Sequence, residues 1–253
     1  MYRELAAEDH QKLLRLAPGQ LPDVVLLLGV FDVHAAAERF SRYLEDPVSS
    51  RSETSVSGIP YWLGTHAGVR VGLSACFGGP MAALFAHTWV GAGVKTIIQL
   101  GWYGALQPGT ALGDVVVPRH AERQDGVSDW YLAKGILSDA SEDLAAGISA
   151  NLRARDIPVN ERAIYSTPAL LAESREVIAD WSRHGWHGVD METAATFAVA
   201  KNLGARRAAA LIRIDDLVSE EHSLTEGLRG DHRTFMRNRE REVMHAAIEA
   251  AAR

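Results

Sequence analysis

The chain has 253 residues, 47 % of them hydrophobic, with 32 acidic and 26 basic side chains and a net charge of −6. That length suits one large α/β domain, taken as residues 1–253 with no linker, and the acidic balance argues against a nucleic-acid face. One cysteine, Cys76, excludes an internal disulfide or a multi-cysteine metal site. With no apolar leader and no apolar run of membrane length, a cytoplasmic protein without metal is expected.

In chain order, residues 3–16 carry Leu5, Leu13, Leu14 and Leu16 at helical spacing and stop before Pro18-Gly19. Residues 24–28 are a continuous apolar run closing on Gly29, the pattern of a buried strand. A helix is predicted over 32–44, with Asp32 as its N-cap. The Ser- and Thr-rich stretch 48–58 reads as an exposed loop or edge strand, and 59–65 with 68–74 as a hairpin. Gly78-Gly79-Pro80 then leads an apolar helix over 81–90. A strand over 95–100 closes on Gly101, and another starts at 115–117 and runs towards Arg123. The remaining helices are predicted over 141–155, 170–183, 192–202 (ending at Gly204) and 234–252. Short strands fall at 163–167, just before Asp190, and at 208–214. Arginines between Arg229 and Arg241 alternate with Asp231 and Glu240 and read as a solvated helix face.

Strands alternating with helices imply a three-layer αβα sandwich around a mixed, mostly parallel twisted sheet. A site is then expected at the strand ends, namely Gly29, Gly101, Ser166-Thr167, Asp190 and Asp215-Asp216. Two of these carry glycine, which lets backbone approach a ligand closely. Asp190 and Glu192 sit two apart at one such turn. A carboxylate there can accept both hydroxyls of a sugar and stabilise positive charge on a ribosyl ring as a glycosidic bond breaks. The competing reading makes Asp190 a helix N-cap and Glu192 a first-turn partner of the helix dipole.

Residues 101–109, Gly-Trp-Tyr-Gly-Ala-Leu-Gln-Pro-Gly, followed by Leu-Gly-Asp-Val-Val-Val at 112–117, resemble the central signature of the nucleoside phosphorylase family. That family includes purine nucleoside phosphorylase, uridine phosphorylase and methylthioadenosine nucleosidase. Val-Asp-Met-Glu-Thr-Ala at 189–194 resembles its ribose-binding turn, and Gly78-Gly79-Pro80 and the first strand fall in family order. The resemblance implies cleavage of a nucleoside N-glycosidic bond by a homo-oligomer built from dimers (a dimer or a trimer of dimers), with no metal and no cofactor, phosphate being a co-substrate if the reaction is phosphorolytic. It implies catalytic roles for Glu192 on the ribose hydroxyls and for Asp216, with help from Asp215, in giving a proton to the departing base. Met191 would pack on the sugar. Asp190, Trp102, Gly104 and Ser166 would line the nucleoside site, and His10 would reach a ribose across a dimer. No Gln and Arg pair of the uridine-specific kind is found in 160–170, so a purine-type base is favoured.

The likeness fails where a phosphate would bind. Gly29 is kept, but the arginine expected after it falls on Val33, or on His34 with a one-residue slip. A second expected arginine falls on Gln99, and an expected Ser or Thr falls on Trp102. Each lost charge-assisted hydrogen bond removes roughly 1.5–3 kcal/mol. Arg51 restores at most one contact. Hydrolysis is therefore favoured over phosphorolysis, with Asp32 or His34 as general base. The alternatives are phosphorolysis at a site rebuilt from residues such as His66 or Arg213, and a nucleoside-binding homologue without activity.

Overall fold

The computed structural model describes residues 1–50, 59–219, 227–228 and 230–253. Its helices are α1 (Ala7–Leu14), α2 (Val33–Ser41), α3 (Gly79–Gly91), α4 (Glu142–Arg153), α5 (Arg175–Arg183), α6 (Thr193–Asn202) and α7 (Gly230–Ala251). Its strands are β1 (Val24–Gly29), β2 (Glu45–Ser49), β3 (Trp62–His66), β4 (Val69–Cys76), β5 (Thr96–Ala105), β6 (Val115–Val116), β7 (His120–Arg123), β8 (Ser138–Asp139), β9 (Val159–Asn160), β10 (Ile164–Ser166), β11 (Gly188–Asp190) and β12 (Arg206–Asp216).

The strands form one mixed sheet in the order β2-β3-β4-β1-β5-β11-β10-β7-β8, with β12 also on β5 and β6 bridging β12 to β9. Alternation along β1 splits the core. Val24, Leu26 and Leu28 face α2, α4 and α7, through Phe40, Ile148 and Met244 among others. Val25 and Leu27 face α1, α3 and α6, through Leu14, Trp89 and Val199. All of β1 is buried on both faces, which is why it reads as an unbroken apolar run. Every residue of α6 from Thr193 to Ala200 is buried, and its small side chains let it lie close to α3.

Several boundaries differ from the sequence expectation for local reasons. The first helix is a short 3-10 turn at Tyr2–Glu4 followed by α1. The hairpin turns on Ala67 and Gly68, both at positive φ (49° and 79°), the backbone a two-residue type I′ turn requires. β5 does not stop at Gly101 but runs to Ala105, because β12 continues to pair with it up to Asp216. The helix expected over 170–183 is broken. A 3-10 turn at Leu170–Ala172 precedes α5, whose N-cap Ser174 accepts from the Val177 N–H at 3.3 Å. Among the described residues no helix is long and apolar enough to cross a membrane, and no group of three or more His, Cys, Asp or Glu is placed to hold a metal.

Candidate active site

β5 carries two neighbours along one edge. β1 pairs with it in parallel up to Gly29 opposite Gly101, and β11 pairs antiparallel, with Val189 opposite Gly104. The carboxyl ends of β1 and β11 therefore run towards each other and leave a gap in the sheet edge beside Gly101 and Tyr103. Such a switch in strand direction is where an α/β sheet builds its crevice. Glu192 follows β11 directly and drops into this gap.

Packing there requires glycine. A Cβ on Gly29 would lie 2.5 Å from Glu192 Oε2 and 2.8 Å from Gln99 Nε2, and one on Gly101 would lie 2.6 Å from the Gly29 carbonyl oxygen. Glu192 Oε1 accepts from the Gly78 N–H at 2.6 Å, which ties this acid to the loop between β4 and α3. Gly78 itself has φ +79°, open to glycine at little cost. The Met191 methyl lies 4.0 Å from the position of a Cβ on Gly78, beside this contact. Phe31 and Phe77, both solvent-exposed, meet edge to face at 5.2 Å just past Gly29 and just before Gly78.

Glu192 is only 6 % exposed. Burial, then the neighbouring Asp190 charge, push its carboxyl up from 4.5 to about 8, against the backbone N–H groups of Gly78 and Met191. Among the described residues no cation stands among these influences. The same two acids and burial hold the Cys76 thiol high, consistent with a buried structural cysteine.

The structure separates the two acids of the turn. Asp190 Oδ2 accepts from the Thr193 N–H at 2.9 Å and its hydroxyl at 2.5 Å, and Oδ1 accepts from the Ser166 hydroxyl at 2.5 Å. Ser166 Oγ in turn accepts from the Ala194 N–H at 3.0 Å. Asp190 and Ser166 thus hold the start of α6 and join it to β10 and β11. The N-cap position of α6 falls on Glu192, whose side chain makes no cap bond, and Asp190, two residues before it, accepts from the first residue of the helix instead.

Other expected residues are placed elsewhere. Asp32 caps α2 through the Ala35 N–H at 3.1 Å and is exposed. It lines, with His34, Tyr61 and Trp62, a separate cavity of about 560 Å³ that does not include Gly29, Gln99 or Glu192. The Asp32 side chain is folded back on its own helix. Gln99 is fully buried; it accepts from the Thr196 hydroxyl at 2.7 Å and donates to the Leu100 carbonyl at 3.1 Å, so it supports the crevice floor from within the protein. Trp102 packs half-buried on the α2/α7 side of the sheet, 6.0 Å from the Arg39 guanidinium. Gly104 gives way to Leu217, whose Cδ1 lies 2.7 Å from where a Cβ would sit.

His10 is buried against Gly91 of its own chain and stacks on His87, with centroids 5.5 Å apart. Asp216, at the end of β12, accepts from the backbone N–H groups of Val218 (3.2 Å) and Ser219 (3.0 Å) and faces Arg213 at 3.2 Å. His66 stacks on His245 at 3.9 Å. Arg51, like His222 and Arg229, lies outside the described residues.

Two features escaped sequence reasoning. The Gly78 N–H became visible only through tertiary contact, although Gly78-Gly79-Pro80 marked the spot. Glu173 was hidden inside an expected helix. It lies just before Ser174, and its carboxyl is raised from 4.5 to about 7 by burial and by the Asp215 charge. The Ser174 cap followed by Glu176 was the readable signal that the helix starts after it.

The model of the phosphorylase superfamily matches residues 24–253. A purine nucleoside phosphorylase of DeoD type 2 from Vibrio cholerae is 28 % identical over 207 residues, 81 % of this chain and 86 % of that protein. A guanosine phosphorylase from Halorubrum lacusprofundi is 30 % identical over 142 residues, 56 % of this chain and 58 % of its own. The crystal structure of uridine phosphorylase from Vibrio fischeri superposes with a TM-score of 0.73 at 20 % identity, over 92 % of this chain and 89 % of that one, a likeness of fold.

Proposed function

We propose, from the premise that the chain belongs to the phosphorylase superfamily, that the Gly29–Gly78–Glu192 crevice holds the sugar of a purine-type nucleoside. The protein then cleaves its N-glycosidic bond, with water as the favoured acceptor. The observation that carries this reading is the buried Glu192 carboxyl set against Gly29 and bonded to the Gly78 N–H.

A carboxyl raised to about 8 is mostly neutral at pH 7 in the empty site. Two ribose hydroxyls donating to it favour the ionised form. As the bond to the base lengthens, positive charge on the ribosyl ring favours that form further. The interaction therefore strengthens from ground state to transition state, the requirement for catalysis by differential binding. Phe31 and Phe77 offer an apolar lip for the ligand's faces.

The choice of water rests on charge: among the described residues, burial and Asp190 raise Glu192 and no cation stands among the influences on it. A dianion beside the same group meets the same lack of positive charge, and its burial without charge-assisted donors is costly. Phosphorolysis is the second reading, favoured by the phosphorylase names of the matched proteins. Exposed Leu13, Met81 and Leu84 on α1 and α3 support a homo-oligomer. The experiment is a nucleoside panel with and without inorganic phosphate, reading the sugar product. Free sugar without phosphate supports hydrolysis; a strict phosphate requirement with sugar 1-phosphate as product replaces it by phosphorolysis.

A further inference from the structure

Gly78 and Glu192 stand immediately before α3 and α6, so the bond between them depends on how these two packed helices meet at their first turns. The chain after β7 lies across both helices. Arg123, the last residue of β7, is opposite Ser166, and Ser166 is opposite Asp190; the Gln124 N–H donates to the Ser166 carbonyl at 3.2 Å. Segment 124–131 therefore starts at the same carboxyl end of the sheet as Glu192. Further on, the Tyr131 hydroxyl lies 3.0 Å from Nδ1 of His87 on α3. The Tyr131 carbonyl accepts from the amide of Asn202, at the end of α6, at 2.9 Å.

Asp125 is where this segment meets the first turn of α3. A Cβ on Gly79 would lie 3.1 Å from the Asp125 Cβ and 3.4 Å from its Oδ1 and its carbonyl oxygen, so Asp125 packs directly on Gly79. Asp125 is 2 % exposed. Its Oδ1 accepts from the N–H groups of Val127 at 3.0 Å and Ser128 at 2.8 Å, an Asx turn that fixes the backbone there. Its Oδ2 is buried and has no hydrogen-bond partner among the described residues. Gly78, the neighbour of Gly79, donates to Glu192 Oε1 at 2.6 Å. The contacts from Asp125 through Gly79 and Gly78 to Glu192 are short, and all four residues are buried. We propose that Asp125 is a positioning residue, which through Gly79 keeps the Gly78 N–H on Glu192. This rests on the nucleoside reading given above. Displacing a group that binds the transition state by about 1 Å costs up to about 10²-fold in rate.

The test places Asp125→Ala and Asp125→Asn in the wild-type and Glu192→Gln backgrounds, with a purine nucleoside as substrate and thermal melting to confirm folding. Asp125→Ala removes the turn acceptor and is expected to lower kcat about 10–100-fold in the wild-type background. With Glu192→Gln present the further loss should be less than about threefold, because a residue acting through Glu192 has nothing left to position. Asp125→Asn keeps Oδ1 and loses no bond at the unpartnered oxygen, so it should restore kcat to within about threefold of wild type. Gly79→Ala pushes on the same contact from the helix side and serves in place of Asp125→Ala if that chain does not fold. A second measurement needs no turnover: carbon NMR of labelled glutamate follows the Glu192 carboxyl, assigned by its absence in Glu192→Gln. Its titration at about 8 should move up by about one pH unit in Asp125→Ala, where an N–H that favours the ionised form is lost, and stay in place in Asp125→Asn. Equal losses of kcat in both backgrounds, or an unmoved Glu192 titration in Asp125→Ala, overturn the proposal. A chain that shows the titration shift but cleaves no nucleoside upholds the contact and fails the nucleoside reading instead.

Discussion

Replacing Glu192 by glutamine keeps the side chain's shape and removes its titration. In the folded chain the carboxyl ionises at about 8, against 4.5 when solvated. The raised value means the folded state binds a proton that the unfolded state has lost. The stability associated with this group is fully present below about pH 4.5, declines as pH rises, and is gone above about 8. At about 1.4 kcal/mol per pH unit, the ionised form costs the fold on the order of 4 kcal/mol by pH 8. Asp190 shares part of that effect, because each acid raises the other's cost of ionising. Denaturant unfolding at intervals from pH 5 to 9 measures it as the difference between wild type and Glu192→Gln, in which titrations common to both cancel. The variant should match the wild type within about 1 kcal/mol at pH 5 and exceed it by roughly 3–5 kcal/mol at pH 9. Parallel curves across that range would refute a buried, charge-frustrated Glu192. The same linkage sets affinity: nucleoside binding to the wild type should weaken about tenfold per pH unit below 8, until the pKa of the complex is reached.

Gly29→Ala should displace Glu192, since the new methyl lands 2.5 Å from its Oε2; loss of turnover with a stability change of only about 1–3 kcal/mol checks it. Asp190→Ala should lower unfolding free energy by about 2–5 kcal/mol through loss of the α6 cap and the Ser166 link, read as a drop in midpoint denaturant concentration. Arg39 holds the buried Glu240 through two hydrogen bonds of 3.0 and 3.1 Å, so Arg39→Met should cost about 3–5 kcal/mol by leaving that charge unpaired. Inorganic phosphate at about 10 mM should move the melting temperature by less than about 1 °C, whereas a millimolar or tighter site would raise it measurably.

How far the sequence could be read depended on whether a feature is local. The apolar run of β1, the Gly204 end of α6 and the alternation of strands with helices are local patterns, and they carried the fold class and the rim on which Glu192 sits. Roles within one turn were less accessible. Asp190 and Glu192 are both acids at the start of one helix, and either fits a cap. Only the arrival of Ser166 from β10 and of Gly78 from the end of β4 distinguishes them. The same holds for glycine. Gly29 admits a carboxylate, while Gly104 admits Leu217, and the two look alike along the chain.

The amino-acid order alone determined most of the longer strands and helices, and that acids and glycines crowd the strand ends, because periodicity and capping act over a few residues. The tertiary structure decided which acid caps and which stays in the crevice, that Trp102 belongs to the core, and that Glu173 is raised beside Asp215. Those outcomes depend on burial and on charges brought together from distant parts of the chain, and no short window of sequence contains either.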